Sequence, residues 1–334
     1  MPGRSHPEMT PSPSDHFNGK TFFWPGGRSE RGFLDLIRWK FTSRTTPWPI
    51  EVPLPARTLP PAPEAAKPGL AVTWIGQSTF LLRAGGQTFL TDPIYSRRAS
   101  PFAWIGPERV LAPAIPWEAL PRIDWVLLSH DHFDHCDLPT LRQLARRDHP
   151  GIVSPLGYRT LLGPLGFRER IELDWWDERT LQNTGGAPAG AKITWVPSRH
   201  WCRRRPGATN VRLWGGCVLE AGGRRIYFVG DSGYDDRLFK DIGRRAGPPD
   251  LALIPIGAYE PRWFMREAHM NPAEAVRVHL EVGARRSLGM HWGTFQLTDE
   301  GRDAPVTALE AATKAAGLQK EAFEAADPGY TLQI

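Results

Sequence analysis

From about residue 70 to the end of the chain, short apolar runs alternate with turns rich in glycine, proline and aspartate. Eight of these runs have the length and composition of buried strands. They are residues 72–82, 88–91, 125–128, 193–196, 217–219, 226–229, 251–254 and 287–290. Segments with helical spacing of apolar residues are interleaved with them: residues 138–147, 237–243, 272–281 and 306–316. This alternation predicts a mixed α/β domain over residues 70–334.

The first 69 residues follow a different pattern and are predicted to form an N-terminal extension. Its start, up to about residue 15, is rich in proline and serine and is expected to be disordered. Residues 31–44 place apolar side chains at helical spacing with basic residues between them, which predicts a short amphipathic helix. Residues 46–68 form a proline-rich arm. The helix suits contact with a membrane surface or a partner, and equally a place on the protein's own core.

Composition narrows the classes of function only a little. The formal net charge is +5 over 334 residues, with basic and acidic residues intermixed, so no nucleic-acid partner is expected. The three cysteines form no C-x-x-C pair and favour reduced thiols. The N-terminus lacks the apolar core of a signal peptide, and no apolar stretch is long enough for a transmembrane helix. A cytoplasmic protein is therefore expected, and peripheral contact with the cytoplasmic membrane face stays open.

The strongest chemical signal is the hexapeptide His-Asp-His-Phe-Asp-His at residues 130–135, which directly follows the apolar residues 123–129. Residues two apart at the end of a strand project to the same side, so His130 and His132 are expected to converge on one ion. The chain then turns toward a helix, and the Asp-His pair that follows suits a second ion. Imidazole and carboxylate ligands fit zinc, with iron and manganese as alternatives, and ions about 3.5–4 Å apart can act on one substrate.

Three further apolar runs end in residues that complete this set. His200, Asp231 and His291 each follow a predicted strand, where a loop at the edge of a sheet would hold the side chain in a cleft. The predicted ligands are His130, His132 and His200 for the first ion, and Asp134, His135 and His291 for the second. Asp231 is expected to bridge the ions, because a carboxylate can offer one oxygen to each. The pattern thus predicts a hydrolase that uses two Zn²⁺ ions.

The hexapeptide followed by distant His, Asp and His resembles the metallo-β-lactamase superfamily. Other segments resemble its N-acyl-phosphatidylethanolamine-hydrolysing phospholipase D family, and the most specific is the twelve-residue run at residues 254–265. Shorter matching segments lie at residues 74–76, 90–94, 172–176, 200–202, 230–234 and 291–295. The resemblance implies an αβ/βα sandwich of two mixed sheets flanked by helices, with the metal site at one edge.

The resemblance also implies a reaction, the cleavage of N-acyl-phosphatidylethanolamine to phosphatidic acid and an N-acylethanolamine. Asp134 and Asp231 would then act in catalysis as well as in metal binding. His269 would lie near the substrate phosphate and donate a proton or a hydrogen bond, although a structural histidine is equally compatible. Asp92 is expected to accept a hydrogen bond from a ligand histidine.

Candidate substrate contacts lie in the apolar loop at the end of the twelve-residue run. They are Tyr259, Arg262, Trp263, Phe264 and Met265, joined by His269. In a lipid hydrolase this loop would contact acyl chains while the arginine meets phosphate. A core-packing loop and a contact in a homodimer are the alternatives.

The chain departs from the family pattern at three positions that border the expected cleft. Gln77 stands where members commonly have histidine, Phe133 replaces a tyrosine of the mammalian enzyme, and Ala268 replaces a glutamine. These changes leave the predicted metal ligands intact, but they could alter which substrate the cleft accepts. Two other functions therefore stay open. One is a lactonase or other carboxyl-ester metallohydrolase of the same superfamily, and the other is a membrane-associated binding protein with a structural metal.

Overall fold

Two seven-stranded β-sheets pack face to face, and helices cover their outer sides. The computed structural model describes residues 14–27, 31–54, 56–57, 60, 69–182 and 190–334. Its architecture confirms the predicted α/β sandwich of two mixed sheets flanked by helices.

The strands and helices of the described residues are numbered in chain order. The strands are β1 (Leu70–Gly76), β2 (Thr79–Ala84), β3 (Gln87–Thr91), β4 (Trp125–Leu127), β5 (Gly151–Pro155), β6 (Glu169–Leu173), β7 (Glu178–Leu181), β8 (Ala191–Val196), β9 (Gly216–Ala221), β10 (Arg224–Phe228), β11 (Leu251–Pro255), β12 (Arg286–Met290), β13 (Phe323–Ala325) and β14 (Thr331–Gln333). The helices are α1 (Phe33–Thr42), α2 (Leu138–Asp148), α3 (Arg159–Leu162), α4 (Leu238–Ala246), α5 (Arg262–Met265), α6 (Pro272–Glu281) and α7 (Ala304–Ala315).

Strand direction brings several loops to one edge of the sandwich. The first sheet has the order β14-β1-β2-β3-β4-β5-β6, and β3 to β6 run parallel. The second has the order β13-β12-β11-β10-β9-β8-β7, and β10 to β13 run parallel. Because β9 is antiparallel to both β8 and β10, those two strands share one direction. The carboxyl ends of β8, β10 and β12 therefore lie at the same edge of their sheet.

The main core lies between the sheets and is built from large side chains of both. Trp74, Phe80 and Trp125 come from the first sheet, and Trp195 and Phe228 come from the second; each is at most 1% exposed. Burial of a large apolar side chain contributes about 1.5–3 kcal/mol. Two further apolar clusters join the helices to the outer faces of the sheets.

One predicted strand is wrong, and several short strands were not predicted. The run at residues 72–82 is two strands, β1 and β2, because the chain reverses at Gly76 and Gln77, whose φ angles are +142° and +50°. β7 was missed because three of its four side chains are exposed, so it carries no apolar run. β13 and β14 have three residues each, too few to show a pattern.

The N-terminal extension is partly described. The predicted amphipathic helix at residues 31–44 is confirmed as α1. Phe17 and Phe22 are buried against Trp214 near the second sheet, so the chain is packed from about residue 14. The start that was predicted to be disordered lies almost entirely outside the described residues, and the domain boundary at residues 69 and 70 stays a prediction. None of the helices in the described ranges has the length and apolar content needed to cross a membrane.

Candidate metal centre

The seven predicted ligands lie together at one edge of the sandwich, in loops that follow strands of both sheets. They are His130, His132, Asp134 and His135 after β4, His200 after β8, Asp231 after β10, and His291 after β12. All are buried except His132, which is partly exposed. Their donor atoms form two groups that could each hold a metal ion.

His130, His132 and His200 form the first group. The distance is 2.9 Å between Nε2 of His130 and Nδ1 of His132, and 3.2 Å between Nδ1 of His132 and Nε2 of His200. Burial lowers the pKa of His132 to about 4 and that of His200 to about 3, and it also lowers the pKa of His130. All three imidazoles are therefore neutral at neutral pH, which is the form that binds metal.

Asp134, His135, Asp231 and His291 form the second group. Nε2 of His135 lies 3.1 Å from Nε2 of His291, 3.1 Å from Oδ2 of Asp231 and 3.2 Å from Oδ2 of Asp134. Nε2 of His291 lies 3.2 Å from Oδ2 of Asp134 and 3.1 Å from Oδ2 of Asp231. Burial acts to lower the pKa of His291, but the two carboxylates outweigh it and raise that pKa to about 9. Two anionic side chains thus make this group attractive to a cation.

Asp231 is the side chain that joins the two groups. Its Oδ2 lies 3.9 Å from Nε2 of both His130 and His200, in addition to its contacts in the second group. Burial acts to raise the pKa of Asp231, yet His135 and His291 hold it well below its usual range, so the carboxylate is ionised. Its Oδ1 is buried and has no hydrogen-bond partner among the described residues. This position suits the predicted bridge, whose role stays a prediction.

Both groups fit the ligand set of a divalent cation such as zinc. Ligands at about 2.0–2.1 Å from a tetrahedral zinc ion lie about 3.3 Å from one another. The separations given above for donor pairs within the two groups, 2.9–3.2 Å, are close to that value. A cation in the first group would also separate the lone pairs of neutral imidazoles, and a cation in the second would replace the proton that the carboxylates favour on His291.

Asp92 orients one ligand histidine directly and a second through Ser129. Its Oδ2 accepts hydrogen bonds from Nδ1 of His135 at 2.7 Å and from the hydroxyl of Ser129 at 2.5 Å. The same hydroxyl lies 2.9 Å from Nδ1 of His130. In both rings a donating Nδ1–H leaves Nε2 free to face the metal position. The structure thus places Asp92 where the sequence predicted it, and adds Ser129, which no motif had indicated.

Two of the departures from the family pattern contact the ligands. Nε2 of Gln77 donates a hydrogen bond to Oδ2 of Asp134 at 2.9 Å. The backbone carbonyl of Ala268 accepts one from Nδ1 of His200 at 2.9 Å, so this contact does not depend on the side chain at position 268. Gln77 therefore fixes Asp134, a role that its replacement of histidine had not revealed.

Two arginines hold the backbone and Asp131 of the hexapeptide in place. Nη1 of Arg212 pairs with Oδ2 of buried Asp131 at 2.9 Å. Nη1 of Arg204 donates to the carbonyls of Asp131 and Cys136 at 2.9 and 2.8 Å, and its guanidinium lies 4.3 Å from the centre of the Phe133 ring. Removing one partner of a buried ion pair costs about 3–5 kcal/mol. Neither arginine could be assigned from the sequence, because no spacing rule links it to the hexapeptide.

His269 lies beside both groups, where the sequence placed it near the substrate. Its ring centre is 5.1 Å from that of His200 and 5.5 Å from that of His291, and its Nδ1 is 3.9 Å from Oδ2 of Asp231. Burial lowers the pKa of His269 to about 3, so the ring is neutral at neutral pH. It is 14% exposed, enough to border the cleft.

Arg262 is held in place by contacts within the protein. Its Nη2 pairs with Oε2 of Glu274 at 2.8 Å, and its Nη1 donates to the carbonyl of His269 at 2.9 Å. The guanidinium therefore fixes the loop that carries His269. The structure gives no support to the expectation that this arginine meets phosphate.

The remaining candidate substrate contacts lie around the short helix α5. Tyr259 is buried, and Trp263, Phe264 and Met265 are partly exposed. The ring of Phe264 lies 4.9 Å from that of Trp39 in α1, so the N-terminal helix packs against this loop. A role in substrate binding stays a prediction for all four.

Replacement of Asp92 by asparagine tests its orienting role. We expect Asp92→Asn to weaken metal affinity about 10–100-fold. Both carboxylate oxygens of Asp92 accept hydrogen bonds, from the Ser129 amide on Oδ1 and from the Ser129 hydroxyl and His135 on Oδ2, whereas asparagine puts a donating NH2 group in place of one of them. Competition with a chromogenic chelator measures this affinity. Asp148→Asn is the matched control, since Asp148 is also buried but bonds to Ile123 and Arg147. Equal affinities in the two variants would contradict the role of Asp92.

Comparisons with known proteins agree with this geometry. Residues 87–292 match the family model described as a beta-lactamase superfamily domain. The chain is 41% identical over 236 residues to N-acyl-phosphatidylethanolamine-hydrolyzing phospholipase D 1 of Caenorhabditis elegans, across 69% of this chain and 65% of that enzyme. It therefore spans less than two thirds of the nematode enzyme's length. It is also 38% identical over 290 residues to an uncharacterized protein of Mycobacterium tuberculosis, across 85% of this chain and 75% of that protein.

A solved structure supports the fold. Isothiocyanate hydrolase from Delia radicum gut bacteria superposes with a TM-score of 0.60 at 19% identity, covering 78% of this chain and 98% of that one. At this identity the likeness concerns the fold alone. The family model covers more than half of this chain, and the site brings two metal-binding groups together. The chain therefore belongs to the beta-lactamase superfamily, as one of its metal-dependent hydrolases.

Proposed function

We propose that the protein is a zinc-dependent phosphodiesterase of phospholipase D type that binds two Zn²⁺ ions. Its substrates would be N-acyl-phosphatidylethanolamine-like phospholipids, which it would hydrolyse to phosphatidic acid and an N-acylethanolamine. One observation carries the proposal: the two donor groups joined by Asp231 occur in a chain that is 41% identical to an enzyme named for this reaction.

The metal ions and the residues around them would have separate roles in hydrolysis. Zinc ions, when bound, would lower the pKa of a water molecule and neutralise charge that develops on the phosphoryl oxygens. His135 and His291 hold the pKa of Asp134 well below its usual range, against the opposing effect of burial. Asp134 is thus an ionised acceptor, and it could orient the attacking water by accepting a hydrogen bond. Gln77 donates a hydrogen bond to the same carboxylate and restrains it.

His269 is suited to hydrogen bonding rather than to proton transfer. A general acid works best when its pKa lies near the operating pH, whereas the pKa of His269 is about 3. A positive charge nearby would lower that pKa further. The neutral ring still carries one N–H, and its Nδ1 has no hydrogen-bond partner among the described residues. We therefore assign His269 a hydrogen bond to a phosphoryl oxygen of the substrate.

A substrate panel tests the reaction class. The zinc-reconstituted protein is assayed on an N-acylated phosphatidylethanolamine, on an aryl phosphodiester and on a series of lactones. We expect cleavage of both phosphodiesters, with phosphatidic acid as the lipid product, and none in Asp231→Asn, because the carboxylate that joins the groups is lost. Asp148→Asn is the control and should retain activity. Turnover of lactones without phosphodiester cleavage would overturn the proposal in favour of a carboxyl-ester hydrolase. Metal binding without turnover of any substrate would indicate a structural metal.

The role of His269 has its own test. We expect His269→Ala to lower kcat about 100-fold, the usual scale for loss of a well-placed hydrogen-bond donor to developing charge. Because His269 is neutral well above pH 3, the shape of the kcat profile between pH 5 and 9 should match that of the wild type. His279→Ala is the control, since His279 is a buried histidine that bonds to Ser287. Loss of an inflection near neutral pH in His269→Ala would instead show a proton-transfer role.

A further inference from the structure

Helix α1 turns an apolar face toward solvent. Its inner side packs Trp39 against the protein, where Nε1 donates to Oδ2 of Asp299 at 3.0 Å. On the outer side Leu34 is 78% exposed, Ile37 37% and Phe41 87%. These three positions follow the i, i+3, i+7 spacing of a single helix face. A face of this composition left in water is unusual for an ordinary surface helix.

A second apolar surface lies at the tip of the loop formed by residues 99–107. Three neighbouring side chains are exposed there: Phe102 by 54%, Trp104 by 75% and Ile105 by 52%. The stem of the loop is closed by a hydrogen bond from the amide of Ala99 to the carbonyl of Pro107 at 3.0 Å. Nη1 of Arg98 adds a bond to the carbonyl of Gly106 at 2.7 Å. A closed stem holds the three apolar side chains out from the protein.

Helix α1 and the stem of the loop are neighbours, because residues of both line one cleft. Trp39 and Lys40 form one part of its wall, and Pro107 and Glu108 form another. The amide of Val110, just after the stem, donates to the carbonyl of Thr294, three residues beyond the predicted ligand His291.

Helix α1 also lies beside the site. The ring of Phe264 in α5 packs on Trp39, and the guanidinium of Arg38 lies 4.6 Å from the ring centre of Trp263. α5 ends four residues before His269. Helix α1, which carries one of the two exposed apolar surfaces, therefore packs against the loop that carries His269.

We propose that this combined surface, the outer face of α1 and the tip of the 99–107 loop, docks the protein on an anionic phospholipid bilayer. The proposal deepens the proposed function, on which it rests, because an enzyme that acts on a bilayer lipid must reach its substrate at the interface. Tryptophan and phenylalanine insert at the level of the lipid headgroups, and a basic surround adds attraction to anionic lipids.

Charge favours a bilayer over a second copy of the chain as the occupant. Helix α1 carries Arg38 and Lys40, and Arg44 follows it by two residues. The loop stem carries Arg97 and Arg98, which both pair with Glu108, so it keeps one net positive charge. An isologous dimer through this surface would bring the same basic side chains of both copies together. A bilayer with anionic headgroups instead complements them.

Vesicle co-sedimentation tests the proposal with lipids that are not substrates, so its result does not depend on catalysis. The full chain is mixed with vesicles of phosphatidylcholine alone, or with 30 mol% phosphatidylglycerol. We expect binding to the anionic vesicles that weakens as salt is raised. Phe102→Ser/Trp104→Ser/Ile105→Ser and Leu34→Ser/Phe41→Ser should each lower the partition coefficient at least about 10-fold, because each removes two or three inserted side chains.

The matched control replaces exposed apolar residues elsewhere. Leu280 and Tyr330 are 51% and 55% exposed, and Leu280→Ser/Tyr330→Ser should change the partition coefficient by less than about twofold. Unchanged metal content and circular dichroism show that each variant is folded. Wild-type binding by the two docking variants, or no binding by the wild type, would overturn the proposal. So would a wild-type dimer that these variants dissociate without any loss of vesicle binding, since the surface would then be a subunit interface.

Discussion

The structure depends on one electrostatic constraint, the confinement of six other predicted metal ligands around the carboxylate of Asp231. Nitrogen and oxygen ligand atoms lie 2.9–3.2 Å apart at the end of a buried core. Such a cluster is unfavourable by itself and becomes favourable around cations. The rigid fold holds this cluster in place.

Gly230, which precedes Asp231, shows how closely the two sheets approach each other here. Its φ is +67°, and a Cβ at this position would lie 2.9 Å from the Cβ of Ser129, so only glycine brings the end of β10 this close to the first sheet.

Hydrogen bonds from residues next to strands of both sheets hold the ligands in position. Asp92 follows β3 and fixes His135, and through Ser129 it also reaches His130. Arg212 pairs with Asp131 and anchors the hexapeptide from the segment that precedes β9. Arg262 and the carbonyl of Ala268 hold the loop between β11 and α6 against the site. Each sheet therefore contributes ligands together with the groups that orient them, and Arg212 adds an ion pair from the segment before β9 to the hexapeptide after β4.

The sequence was sufficient to predict the ligands, because their residue types and their positions after apolar runs point to the same site. His130 and His132 converge as their two-residue spacing predicted, although β4 ends at Leu127 and both lie in the loop that follows it. His200, Asp231 and His291 were identifiable because each follows an apolar run. Contacts between distant segments could not be predicted in this way. Gln77 faces Asp134 only because the chain reverses at that point. The ion pair of Arg262 with Glu274 likewise joins residues that no spacing rule connects, and the predicted contact of this arginine with phosphate stays a prediction. The apolar face of α1 was predicted, but its exposure to solvent could not be, because it depends on the packing of Trp39 against the rest of the protein.

The proposed centre holds two ions that share one carboxylate, and anomalous diffraction at the zinc absorption edge tests this directly. Crystals of the zinc-reconstituted protein should show two anomalous peaks about 3.5–4 Å apart. One peak should lie among His130, His132 and His200, and the other beside His135 and His291, with Asp231 between them. A single peak, or zinc bound away from Asp231, would contradict the central claim.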